Sequence, residues 1–431
     1  MAIRLDALDS NFEAAFRDLL SMKREVSDDV DAIVRDIIED VRARGDEALY
    51  EYTAKFDRFD ARPKGLRITE AEINEAVAKV EPEVMAALEL AADRIRSHHA
   101  RQMPKDDFYE DALGVKLGSR WTAIEAVGLY VPGGLAAYPS SVLMNAVPAK
   151  VAGVERLVMV VPTPDDTLNP LVLAAAKLAG VDEIYRIGGA QAVAALAYGT
   201  DTIAPVYKIV GPGNAFVAAA KRRVFGLVGI DMIAGPSEVL IMADANNDPD
   251  WLAVDLMAQA EHDKSAQSFL ITTDKVLASA TEEAVERLLA TLPKADIAGA
   301  SWRDFGAVIT VPDWETGMAL ANRIAPEHLE LAMDDADKMV EKVRNAGAVF
   351  VGHFTPEAVG DYVGGSNHVL PTARSARFSS GLSTLDFVKR TSVLECNAMN
   401  LREIGPSAVT LARQEGLEAH ARSVAKRLNM D

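Results

Sequence analysis

The stretch Val206-Tyr-Lys-Ile-Val210-Gly-Pro-Gly-Asn214 decides the fold. A short apolar run stops at a glycine turn, and a helix-forming run starts at Ala215. Reading outward, the same order recurs three times. Val127-Gly-Leu-Tyr-Val131 precedes Pro132-Gly-Gly134, Leu157-Val-Met-Val-Val161 precedes a helical run from Pro170 to Ala179, and Ile184-Tyr-Arg-Ile187-Gly-Gly-Ala-Gln191 opens another. Strand, turn and helix at short spacing are the pattern of a parallel sheet with helices on its faces. In open sheets of this kind ligands sit at the carboxyl ends of strands, against helix N-termini. Tyr130, Gln191 and Asn214 lie at such ends and are candidates to line a nucleotide pocket. No Gly-x-Gly-x-x-Gly follows a strand, and Gly211-Pro-Gly213 lacks the third glycine. Glycines that give tight βα turns their positive φ would read the same way.

Further along, Ile230 leads through Ala-Gly-Pro-Ser237-Glu to an apolar strand, Val239-Leu-Ile-Met242. A helix, the strand Ser268–Thr272, a helix from Thr281 and the strand Ala307–Val311 make a second unit of the same kind. The expected fold is α/β, with two Rossmann-like parallel-sheet units, incomplete in their glycine fingerprint, and small helical extensions at both ends. The expected division is an N-terminal helical arm over 1–25, a first α/β domain over 26–127 and 236–380, an inserted second α/β domain over 128–235, and a C-terminal helical extension over 381–431.

Within this division the arm is one amphipathic helix capped by Asp9 or Ser10. A helix from Ser27 ends at Gly45, and Thr69-x-x-Glu72 is a capping box opening a third helix to about His99, broken at Pro82. Ala408 to Leu428 reads as a helix carrying Glu415 and His420. His98, His99, His353 and the stretch Arg374 to Ser383 read as surface. Neither terminal segment can bury its own core, so each must dock on its own body or on another chain.

The 431 residues are 49% hydrophobic and 25% charged, an ordinary globular composition. A formal net charge of -19 repels phosphate backbones, which excludes nucleic acid as an expected partner. No apolar run approaches a membrane span and no signal core opens the chain, so a cytoplasmic enzyme or binding protein is expected. One cysteine, Cys396, leaves no internal disulfide and no cysteine-rich zinc site.

Candidate chemistry gathers in the second unit. Asp248 and Pro249 start a helix on which Gln259 and His262, three apart, point the same way and can offer two ligands to one cation. A solvated helix end would carry the same pair. Glu327 beside His328 is a plausible acid–base pair, and the preceding Ala-Pro places it on a turn. A helix start with Glu327 in its first turn is the competing reading. Asp361 lies in a short helix opened by Thr355-Pro356-Glu357.

Taken together, Gly-Pro-Gly-Asn214, Ala-Gly-Pro-Ser237-Glu, Gln259-Ala-Glu-His262, Ala-Pro-Glu327-His328-Leu, Gly-Asp361-Tyr…Ser-Asn-His368-Val-Leu-Pro and Glu415-Gly-Leu-Glu-Ala-His420 resemble the histidinol dehydrogenase family, from the N-terminal arm to the C-terminal helix. The resemblance implies zinc held by Gln259, His262, Asp361 and His420. It implies that L-histidinol is contacted by Ser237, His368 and Glu415 as well as by Gln259, His262, His328, Asp361 and His420. It further implies NAD at Tyr130, Gln191 and Asn214, and a homodimer whose active sites are shared, with the C-terminal helix reaching into the partner. The implied reaction is a four-electron oxidation through L-histidinaldehyde to L-histidine, the last step of histidine biosynthesis. His328 is the expected base for the hydride steps, and Glu327 the residue that activates water. Cys396 lies in none of these motifs, so a hydrated aldehyde is expected rather than a thio-adduct. A zinc hydrolase, or a two-lobed binding protein with a structural metal, would draw on the same residue types.

Overall fold

The computed structural model describes residues 2–22, 28–133, 138–233 and 235–430. Gly134, in one of the glycine turns, lies outside the described residues, as do the last residues of the expected arm and Ser27. The structure is α/β with two parallel sheets. The six-stranded sheet runs in the spatial order Ile3–Asp6, Ala307–Thr310, Gln267–Thr272, Glu238–Ala243, His328–Ala332, Ala348–Val351. The five-stranded sheet runs Glu183–Tyr185, Arg156–Val160, Ala126–Tyr130, Lys208–Val210, Gly229–Ile230. Central strands such as Ala126–Tyr130 and Glu238–Ala243 are buried at every position, because helices cover both faces. This is why they read as continuous apolar runs rather than as alternation.

The expected grouping of residues 26–127 with the 236–380 unit is corrected by the packing. Val34, Ile38 and Val41 of the helix Asp28–Arg44 bury against Val193 and Leu196 beside the five-stranded sheet. Leu88, Ala92 and Ile95 of the helix Pro82–Ala100 bury on its opposite face, with Val142 and Met144. Texture could not show this, because an amphipathic helix does not encode which sheet receives it.

The six-stranded sheet has its own two cores. One holds Phe16 and Leu19 with Leu240 and Ile309, and the other holds Leu252, Leu256 and Trp302 with Val239 and Leu270. The N-terminal segment is therefore more than one helix. Ile3–Asp6 pairs in parallel with Ala307–Thr310, and the helix Phe12–Ser21 follows, with Asn11 rather than Asp9 or Ser10 at the cap position. Four residues of mixed polarity carried no readable strand period. The segment docks on its own chain.

Other boundaries move. The capping box at Thr69 is present, but its helix ends at Val77 and Pro82 starts a separate one. The helix expected from Thr281 begins at Lys275, capped by Asp274. The C-terminal extension is not purely helical: Val388–Glu395 joins an antiparallel sheet with Lys116–Ala123 and Asp107–Glu110. Its helical part is two helices, Ala398–Gln414 and Glu418–Leu428, broken at Gly416 with φ of 74°. Glu415 and His420 thus do not share a helix. The two helices form a small apolar cluster with each other through Val409, Ala421 and Ala425. Ala376 and Leu382 are buried, so the stretch 374–383 is not a pure surface loop. No helix among the described residues is long and apolar enough to cross a membrane.

Candidate active site

His328 opens its strand, with Glu327 just before it, so the pair is on neither a free turn nor a helix start. The neighbouring strand begins at Glu238, whose backbone holds both. The Glu238 N–H donates to Glu327 Oε2 at 2.9 Å, and its carbonyl lies 3.0 Å from His328 Nδ1. A carbonyl only accepts, so Nδ1 carries the proton of the neutral ring. Nε2 makes no hydrogen bond and lies 3.6 Å from Asp361 Oδ1. The backbone has selected the tautomer with a lone pair on Nε2, a buried atom on the Asp361 side of the ring.

Three further carboxylates that sequence reading passed over are buried around this pair: Glu238, Glu330 and Glu357. Glu357 Oε2 stands 3.7 Å from His328 Nδ1, and the Glu357 N–H donates to Glu330 Oε1 at 2.7 Å. Burial pushes the Glu327 carboxyl up to about 7 and that of Glu357 up to about 8. Burial alone would lower His328, but Glu357, Glu327 and Asp361 together raise it well above its usual value. A signal did exist. Glu330 is two residues from His328 in a strand, on the same face, between Leu329 and Leu331, which point to the core. An acid in such a place needs a partner.

The helix Pro249–Ala260 starts as expected, with Asp248 accepting from the Asp250 N–H. Gln259 is buried, not solvated, and its Oε1 has no hydrogen-bond partner. His262 lies just past the helix end and is exposed. The helix Glu357–Tyr362 brings in Asp361, whose burial would raise its carboxyl but whose surroundings, His328 foremost and then His368 and His262, hold it below its usual range. His368 Nδ1 sits 3.1 Å from the Asp361 carbonyl, and Ser237 is the residue before Glu238. His262, His328, Asp361 and His368 are therefore one neighbourhood, with Ser237 beside Glu238 in the chain and Gln259 one turn before His262. His420 and Glu415 are exposed on the terminal helices and make no hydrogen bond to it within the chain.

Two of the nucleotide candidates, Tyr130 and Gln191, meet at the turn of Gly189. Tyr130 ends its strand, and its hydroxyl accepts from the Gly189 N–H at 3.0 Å. A Cβ at Gly189, where φ is +65°, would come within 2.7 Å of Gln191 Oε1. A Cβ at Gly211 would strike the Tyr130 carbonyl at 2.2 Å, so the Gly-Pro-Gly turn passes over Tyr130 only because glycine is there. The turn is fixed by a buried pair that sequence reading missed. Lys221 donates to the Gly211 carbonyl and to Asp231, and Asp231 accepts from the Gly211 N–H. Asn214 caps the next helix, accepting from Phe216 and Val217.

Two surface assignments change. His99 is fully buried and His353 is half-buried, 3.0 Å from Asn247 Oδ1. Asp244, Asp334 and His353 offer ligand atoms within 4.8 Å of one another, but the first two already accept hydrogen bonds from Asn246, Asn247 and the Asp334 N–H.

Comparison with known proteins adds to this geometry. The family model for histidinol dehydrogenase matches residues 20–428. The histidinol dehydrogenase of Rhizobium meliloti (strain 1021) is 69% identical over 430 residues, covering 100% of this chain and 99% of the relative. That of Brucella abortus (strain 2308) is 66% identical over 430 residues, covering 100% of both. The crystal structure of histidinol dehydrogenase from Elizabethkingia anophelis superposes with a TM-score of 0.95 at 36% identity, covering 99% of this chain and 98% of that one. Matched along its whole length in sequence and in backbone, the chain belongs to the histidinol dehydrogenase family and is an oxidoreductase.

Proposed function

We propose that the chain oxidises L-histidinol through L-histidinaldehyde to L-histidine, closing histidine biosynthesis, with zinc bound and two NAD used in turn. The observation that carries this reading is the buried, unpartnered Oε1 of Gln259, on a helix that packs against the helix carrying Asp361. A buried carbonyl oxygen without a donor is costly, and a cation removes the cost. Gln259, His262 and Asp361 would hold zinc with His420 supplied by a second copy of the chain, and this oxygen and nitrogen set leaves room for substrate atoms. Zinc would supply an anchor for the substrate's imidazole and amino nitrogens, and NAD the hydride acceptor.

The chain's own groups do the rest. His328 Nε2 takes the hydroxyl proton as hydride leaves. Glu327, held by the Glu238 N–H, takes a proton from water as it adds to the aldehyde. Ser237, His368 and, from the second copy, Glu415 contact the remainder of the substrate. Tyr130, Gln191 and Asn214 face the dinucleotide. Exposure of Glu415, His420 and Leu411 on two helices that pack on each other supports a homodimer with shared sites. Cys396 is exposed in the C-terminal extension, which supports a hydrated aldehyde.

The test is to load the protein with zinc, supply histidinol with excess NAD, and count NADH formed per histidinol consumed. Two are expected. No NADH would overturn the reading, and one would overturn the second oxidation.

A further inference from the structure

The segment after Asp361 is tied to the unit of the five-stranded sheet by side chains not used so far. From the helix Pro82–Ala100, Arg94 donates to the carbonyls of Val363 and Gly364. Asn367 is buried. Its Nδ2 donates to the Met144 carbonyl at 2.6 Å and lies 3.3 Å from His99 Nε2, while its Oδ1 accepts from the Val369 N–H at 2.9 Å. His99 Nδ1 lies 2.6 Å from Gln102 Oε1, which only accepts, so Nδ1 carries the proton. His99 Nε2 is then a lone pair, able to take the second proton of the Asn367 amide. Burial lowers the His99 pKa and keeps the ring in that neutral form. The Asn367 amide thus has a partner for each of its two protons and one for its oxygen.

What it joins gives this its consequence. Met144 and Ser141 lie on the helix Pro139–Val151, which follows the strand ending at Tyr130. The residue after Asn367 is His368, whose Nε2 is 3.3 Å from Ser141 Oγ and whose Nδ1 meets the Asp361 carbonyl. The helix of the cofactor side and the segment of the substrate side meet at these two side chains. We infer that Asn367 is a positioning residue that, through His368, sets the distance between the substrate carbinol carbon and the cofactor. The inference rests on the proposed histidinol oxidation. Hydride transfer is steep in donor–acceptor distance, so small displacement of a remote clamp lowers the rate without weakening binding.

The test compares Asn367→Ala with the native dimer. Zinc per subunit and NAD affinity by calorimetry should be unchanged, KM for histidinol should hold within about twofold, and kcat should fall about tenfold or more. With carbinol-deuterated histidinol, the isotope effect on kcat should rise, because hydride transfer has become slower. A native kcat, or a kcat loss without a larger isotope effect, overturns the inference, even if the melting temperature drops. If Asn367→Ala does not fold, Ser141→Ala removes only the hydroxyl on His368 and should show a smaller change of the same kind; native kinetics there overturn the inference too. A native chain that makes no NADH from histidinol would instead overturn the parent reading.

Discussion

The two sheets carry their candidate residues at opposite ends. In the five-stranded sheet Tyr130 and the Gly211 turn lie at the carboxyl ends of strands, where open α/β sheets bind ligands. In the six-stranded sheet His328 and Glu238 lie at the first residues of theirs. One short connection reconciles them. The strand Gly229–Ile230 leaves the carboxyl edge of one sheet, and the chain enters the amino edge of the other at Glu238. The chemical content differs as well. The first edge offers glycine turns and helix starts, while the second buries carboxylates around one imidazole. A cofactor held by dipoles needs little reorganisation of charge, whereas a group that gains and loses protons needs charged neighbours to tune it.

This contrast can be broken by substitution. The largest effect is expected on the six-stranded side: His328→Gln should lower kcat for both oxidations about 1000-fold, measured as NADH formation from histidinol and from the aldehyde, with zinc retained. A loss confined to one oxidation would break the assignment of a single shared base.

Next comes pH. The carboxylates raise the His328 imidazole, so if the ring is the base, the rate should climb as pH rises through that elevated value and the ring sheds its proton. Glu357→Gln removes one negative group beside Nδ1 and makes the protonated ring less favourable. The rising limb of kcat against pH should therefore move to lower pH, by about one unit. A limb that stays put, or moves up, would show that Glu357 does not act on His328.

The smallest effect belongs to the five-stranded side. Asn214→Ala loses a cap that accepts from two backbone N–H groups, costing about 1 kcal/mol of stability in denaturant titration. KM for NAD should rise a few-fold while kcat and the pH limb stay native. A moved limb would mean that the two edges are not the separate devices described.

Much was legible from residues alone. Apolar runs alternating with helical stretches identified both parallel sheets, with glycine turns marking the five-stranded one, and Asp248, Thr69 and Gly45 marked helix ends, because these features are local and backed by backbone geometry. The Gln259, Glu327 and Asp361 motifs pointed to a family, and the structure draws them toward one another in space.

What the chain's order could not carry is partnership. The helix Asp28–Arg44 has an apolar stripe whichever sheet receives it, and only packing gave it to the five-stranded one. His99 reads as a helix-end histidine until Asn367, distant in sequence, is seen against it. Glu357 looks like an ordinary surface acid until His328 lies beside it. Local geometry is written in neighbouring residues, but burial and electrostatic environment depend on groups that meet only when the chain closes, so the tuning of the site was decided by tertiary structure.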